Sequence, residues 1–431
     1  MDFSQKKNIH ELIRSLILVV LLVTPFVFIP LGYYNDYFYG PKVMFYQGIV
    51  GIFLILVLVY RKETLKKVSI DFIYIFLLLY GVALVISTIF AMNPKQAIVG
   101  SPKRVEGLST IITYMMLFVM ARHAKMIKRE HIVWILVVGC VISIYGVLQS
   151  FSIDPFPRDF IRENWTRAFS TIGNPNFLGS YLVLLLPLAT DTFIRYKKKW
   201  ALVVYALLFY TLLATMTRGA WVGAGLSHAL YFVILAANKK VDVKAWLFFV
   251  AVSVGVLLVY GGLNSSFITR LLSISQDVTN IIDQDNLDHV GSSRLFIWIR
   301  GVYLVQARPL FGYGLENVGI AFLEFYKEDI VSHFNRVVIP DKAHNEYLHV
   351  ALTTGLVGLL SYLMFIGLII KHATKHLWDH PLQLMVVISI IGYLIQAFFN
   401  ISVVSVAYVF WIFLGLASNN HIKKDDNTTK L

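Results

Sequence analysis

The chain alternates long apolar runs with short polar breaks, the runs falling near residues 15–33, 42–60, 71–90, 108–122, 131–150, 175–195, 199–216, 219–237, 245–262, 350–370, 382–399 and 402–418. A helix needs roughly 17–25 mostly apolar residues to cross a bilayer, since lipid offers no partner to an unpaired backbone group. The pattern therefore predicts an all-α, polytopic membrane protein of about twelve spans, a single integral domain over residues 1–431. The first run follows Lys6, Lys7 and Arg14 as a signal peptide would, but no small-x-small cleavage site comes after it, and it is expected to stay as a helix.

Most breaks are short. The exceptions are 91–107, 151–174 and above all 263–349, a loop between the ninth and tenth spans that is too long to be a mere connection. Leu295, Trp298, Ile299, Val302, Leu304 and Val305 recur in it at helical spacing between Arg294 and Arg308. Pro309 should stop that helix, and Gly312 with Gly314 should turn the chain into a second helix near 316–327.

Composition agrees with a bilayer as solvent: 57% of the residues are hydrophobic and 15% charged. The single cysteine, Cys140, lies in the fifth span and can form no internal disulfide. The net charge of +13 is a topology signal and not a mark of nucleic-acid binding. With both termini in the cytoplasm, the clusters Arg61-Lys62, Lys66-Lys67, Lys125/Lys128/Arg129, Lys197-Lys198-Lys199 and Lys239-Lys240 all fall inside, as basic loop residues do. The large loop is then extracytoplasmic. Basic residues on the inner segments are mostly lysine, whereas those outside are mostly arginine, whose planar fork grips phosphate or carboxylate with paired hydrogen bonds. Some of these, such as Arg158, Arg162 and Arg336, read as ordinary surface residues. Asp283, Asp285 and Asp288 lack the glycine and terminal glutamate of a calcium loop and read as a solvated stretch, so no metal is expected.

The sharpest chemistry closes the loop. His344 and Asn345 lie where the chain dives into the membrane, a costly depth for polar groups, in His344-Asn345-Glu346-Tyr347-Leu348-His349. Neutral imidazole can take a proton from a hydroxyl near pH 7 and an adjacent amide can orient it; a helix cap is the bland alternative. Arg218 sits in the short turn Thr217-Arg218-Gly219, Arg294 and Arg300 at the head of the loop helix, and Arg104 at the start of the fourth span.

The segment His344-Asn345, nine residues, then Gly355-x-x-Gly358 resembles the signature of the bacterial O-antigen ligase family. Arg104-x-x-Gly107, Gly173-Asn174-Pro175-Asn176, Thr217-Arg218-Gly219, Arg294 with Trp298, and Pro309-x-x-Gly312-x-Gly314 agree with it in order. The resemblance covers roughly residues 100–418 and the twelve-span layout. It implies an enzyme of the bacterial cytoplasmic membrane that transfers glycan from undecaprenyl pyrophosphate to an acceptor on the outer face, by inversion and with neither cofactor nor metal. It implies Arg218 and Arg294 as pyrophosphate-binding residues and His344 as the group activating the acceptor, with Arg104, Arg300, Arg308 and Asn345 in support. A repeat-unit polymerase of the same family is an alternative, as is a lipid-linked glycan transporter, although transporters usually carry charge near the midplane of their spans. A non-catalytic scaffold is a further one. The acceptor, whether glycan, lipid or protein, is not legible.

Overall fold

The computed structural model describes residues 3–28, 38–60, 70–155, 167–282 and 290–419, and all regular structure among them is helical. Arg158, Arg162, Asp283, Asp285 and Asp288 lie outside the described residues.

Among the described residues eight helices are long and apolar enough to cross a membrane, and four shorter apolar ones coincide with the remaining runs. In order they are α1 (Phe3–Val23), α2 (Tyr39–Val59), α3 (Phe72–Ile89), then after a short α4 (Pro94–Val99), α5 (Leu108–His123), α6 (Arg129–Ser150), α7 (Pro175–Ile194), α8 (Trp200–Ala214), α9 (Arg218–Ala237) and α10 (Val243–Leu263). The loop contributes α11 (Ser265–Ile282), α12 (Val290–Ala307), α13 (Val318–Phe325) and α14 (Lys327–Phe334), and the last spans are α15 (Glu346–Lys375), α16 (Gln383–Ala397) and α17 (Ala407–Ala417). Side-chain caps set several helix starts: Asp71, Asn93, Asn174 and Asp242 accept bonds from the first free amides of α3, α4, α7 and α10.

Burial separates centre from rim. The α7 span is wholly buried, whereas α10 is buried over only 17% of its length and shows the flanks a lipid-facing helix should. The spans share one apolar core, and the loop folds a second around Phe296, Leu304, Tyr313, Phe322 and Ile330. At one end of the bundle Asp71 pairs with the buried Arg122, and Asp191 with Arg195 at 2.5 and 2.7 Å. The loop caps the other end.

Its attachment explains the glycines. The tenth span begins at Glu346, ahead of the predicted 350, and is broken at Gly355, whose φ of 70° no residue with a side chain adopts cheaply. The break frees carbonyls, and the turn after α12 takes them: Tyr313 N–H donates to Leu352 O at 2.9 Å and Gly314 N–H to Thr353 O at 3.0 Å, while Leu356 N–H donates to Pro309 O at 2.7 Å. The Ser87 hydroxyl adds a bond to Thr353 O. Backbone meets backbone so closely that a Cβ on Gly355 would fall 2.2 Å from the Leu310 carbonyl, and one on Gly312 would fall 2.4 Å from Leu352 O. Both loop helices expected from the sequence are present; α4, α11 and α14 are additions.

Candidate functional site

Asn345 caps α15, its side-chain oxygen accepting from Leu348 N–H at 3.0 Å, so the amide is engaged in starting the helix. His344 immediately precedes it with a left-handed φ of 50°. Neighbours on every side hold this turn. Trp298 on α12 donates its indole N–H to Ala343 O at 2.8 Å. Arg104 grips Asp341 through two bonds of 2.9 and 3.4 Å. Lys342, 2% exposed, reaches Glu106 at 2.9 Å and Glu316 at 2.6 Å. Glu316 in turn accepts from the Ser101 hydroxyl at 2.5 Å. Segments far apart in sequence are thus fastened to the three residues before His344: Asp341, Lys342 and Ala343.

The electrostatics follow from burial. The Lys342 ammonium would lose its proton in an apolar interior, but Glu106 and Glu316 hold it above the ordinary lysine range. Burial likewise pulls the Asp341 carboxyl up, and Arg104 outweighs it and holds it below the usual range. His344 has no such partner: burial, then the charges of Arg294 and Arg104, push its imidazole down to about 4. The ring is therefore neutral at pH 7. Its Nδ1 is buried without a hydrogen-bond partner among the described residues, leaving Nε2 as the nitrogen that can meet a substrate.

Arginines gather beside it. Arg218 opens α9 and donates to the Ser273 hydroxyl at 3.0 Å. The same α11 carries Arg270, whose Nε donates to Met216 O at 2.9 Å. Arg167 donates to Thr215 O at 2.7 Å and to Asn176 Oδ1 and Thr217 Oγ1 at 3.0 Å each, partners that are all neutral. Burial, then the fields of Arg270 and Arg294, lower the Arg167 guanidinium to about 10. Like charges held together at such a cost describe a place an anion would relieve.

His344, Arg294 and Arg104, singled out from the sequence, thus lie within electrostatic range of one another, and Arg218 stands beside them on α9, bonded to the helix α11 that carries Arg270. Arg300 and Arg308 do not share these contacts: Arg300 pairs with Asp329 at 2.8 Å and lies over Phe296, and the exposed Arg308 stacks on Tyr313 at 4.8 Å. Arg336 is exposed. Arg167, Arg270 and Lys342 were not anticipated. For Arg167 a signal existed, because its partner Asn176 closes the Gly-Asn-Pro-Asn motif a few residues on.

Residues 203–363 match the family described as O-antigen ligase. The matched stretch runs from α8 into α15 and contains Arg218, Arg270, Arg294, His344, Gly355 and Gly358, while Arg104 and Arg167 precede it. No curated protein matches the chain.

Proposed function

We propose, starting from the O-antigen ligase domain at residues 203–363, that this multi-pass membrane protein transfers a glycan from undecaprenyl pyrophosphate to an acceptor hydroxyl at the outer face of the cytoplasmic membrane. The observation that carries the reading is the meeting of a neutral, half-buried His344 with arginines whose charges repel one another. Arg218 and Arg294 take the pyrophosphate, assisted by Arg167 and Arg270. His344 Nε2 accepts the acceptor's proton as the hydroxyl oxygen attacks the sugar C1, and the C1–O bond to pyrophosphate breaks on the opposite face with inversion. Pyrophosphate leaves readily once preorganised cations hold its developing charge, and the arginines supply that charge here. The lysine-rich opposite end of the bundle supports the outward placement of this site and both termini inside. Arg104, paired with Asp341, orients the His344 turn; Arg300 and Arg308 act within the loop.

The deciding experiment is reconstitution of the purified protein in lipid vesicles with an undecaprenyl-pyrophosphate-linked oligosaccharide, alone and with acceptors, followed by product sizing. Transfer only to an added acceptor is the expected result. A lengthening lipid-linked ladder without one identifies a polymerase, and movement of intact donor across the bilayer without transfer overturns the reading in favour of a transporter.

A further inference from the structure

A partly open cavity of about 50 Å³ lies beside the turn that carries His344, lined by Lys342, Glu346 and His349 together with Glu106 and Glu316. A water needs at least ~10–15 Å³ of such space and two or more polar partners, so the cavity has room for water. The partners are present. Glu346, 5% exposed, accepts from the Tyr362 hydroxyl at 2.6 Å through Oε1, whereas its Oε2 is buried and within hydrogen-bond distance of no group among the described residues, the Tyr393 hydroxyl being its near neighbour. His349 Nδ1 is also buried without a hydrogen-bond partner among the described residues. The capping geometry brings the two histidines together: with Asn345 as N-cap, His344 and His349 stand at the preceding position and at the fourth helical position, the pair that pack on each other at a helix entrance. Their rings lie within electrostatic range.

We propose that His349 and Glu346 form, through water in this cavity, a relay that carries away the proton His344 takes from the acceptor hydroxyl. The inference rests on the glycan-transfer reading. The acceptor O–H bond breaks and its proton joins His344 Nε2; the Nδ1 proton of the same ring passes to neighbouring His349, and from there through water in the cavity to Glu346 Oε2, turning carboxylate into carboxylic acid. The electron pair of the breaking C1–O bond leaves with pyrophosphate, and Glu346 later returns its proton by the same path to the departing pyrophosphate or to bulk water. His344 thus never has to hold a full positive charge beside the arginines. His349 and Glu346 are positioning residues acting through His344. Besides the two histidines, the groups facing this relay are Tyr80 from α3, Arg104, Glu106, Glu316, Asp341 and Lys342 from the loops, Arg294 from α12, Tyr362 on the same helix and Tyr393 from α16.

The test uses the full chain in vesicles with an undecaprenyl-pyrophosphate-linked oligosaccharide and an acceptor on which the wild type turns over, between about pH 5 and 9 in H₂O and D₂O. Glu346→Gln and His349→Gln should each lower kcat about tenfold or more, leave the donor KM within about twofold and change the solvent isotope effect, and Glu346→Asp should recover part of the rate. Tyr362→Phe, which keeps the packing volume, should move the acidic limb of the pH profile. Wild-type kcat and pH profile in the glutamine variants, or loss of donor binding in parallel with kcat, overturns the relay. Should the glutamine variants not fold, an unshifted limb in a folded Tyr362→Phe protein does the same. A wild type that transfers no glycan refutes the underlying reading, and the relay with it.

Discussion

The Lys342 ammonium lies 2.6 Å from the Glu316 carboxylate, and both side chains are sealed from solvent. Removing one partner from a buried pair leaves a bare charge that costs roughly 3–5 kcal/mol. Lys342→Met is therefore expected to lower the unfolding temperature in detergent substantially. The loss should be greater at pH 8 than at pH 5. Without Lys342 the buried Glu106, whose carboxyl is already held above its ordinary value, takes up a proton on folding, so stability falls as pH rises through its folded pKa. A variant that is as stable as wild type at pH 8 would remove Lys342 from its structural role.

His344→Ala should abolish glycan transfer while expression and membrane insertion persist. The depressed imidazole gives the pH signature. Folding keeps the ring neutral down to about 4, whereas the unfolded ring protonates near 6.5, so the stability His344 contributes is complete above about pH 6.5 and lost as pH falls toward 4. For activity, the acidic limb of kcat/KM, which reports the free enzyme, should lie well below pH 6.5. A bound pyrophosphate would counter the Arg294 field and raise the ring's pKa, so the limb of kcat should sit higher. Coincident limbs near pH 6.5 would dissociate His344 from the chemistry.

Arg218→Lys keeps a charge and loses the fork. Hydrogen bonds to charged groups are worth about 1.5–3 kcal/mol, so a loss of about tenfold to a hundredfold in transfer is expected. Arg167→Gln should weaken donor binding comparably while relieving repulsion in the empty protein, and so leave the unfolding temperature equal or raised. Binding of the lipid-linked donor to the two variants in nanodiscs checks both; wild-type affinity in Arg218→Lys would argue against a two-bond grip.

Gly355→Ala places a methyl group against the Leu310 carbonyl at a left-handed backbone position. The expected outcome is a loop detached from α15, read as faster proteolysis between residues 308 and 318 and loss of transfer, with the spans still inserted. Intact protease resistance would mean that the helix break is not what anchors the loop.

The spans were legible because lipid imposes one simple demand, and long apolar runs satisfy it in any order. The glycines of Pro309-x-x-Gly312-x-Gly314 announced a turn, but not that it would dock in a break at Gly355, because that match concerns backbone hydrogen bonds and leaves no mark on side-chain pattern. Helix α11 was hidden for the opposite reason: Phe267, Leu271 and Leu272 are interleaved with Arg270, Ser273 and Ser275, too polar for a span. With α11 unseen, Arg270 could not be placed. The Lys342–Glu106 pair is separated by 236 residues, and nothing local marks either partner.

A joint made of main-chain hydrogen bonds reads side-chain identity only at its own glycines. Because the loop is moored to α15 by Tyr313, Gly314 and Pro309 backbone atoms, its outward residues on α13 and α14 are free to diversify without moving His344. The protein thus joins the loop to its spans through small residues and buried charge and leaves the outward face apart from that joint, so substitutions there need not disturb the residues beneath it.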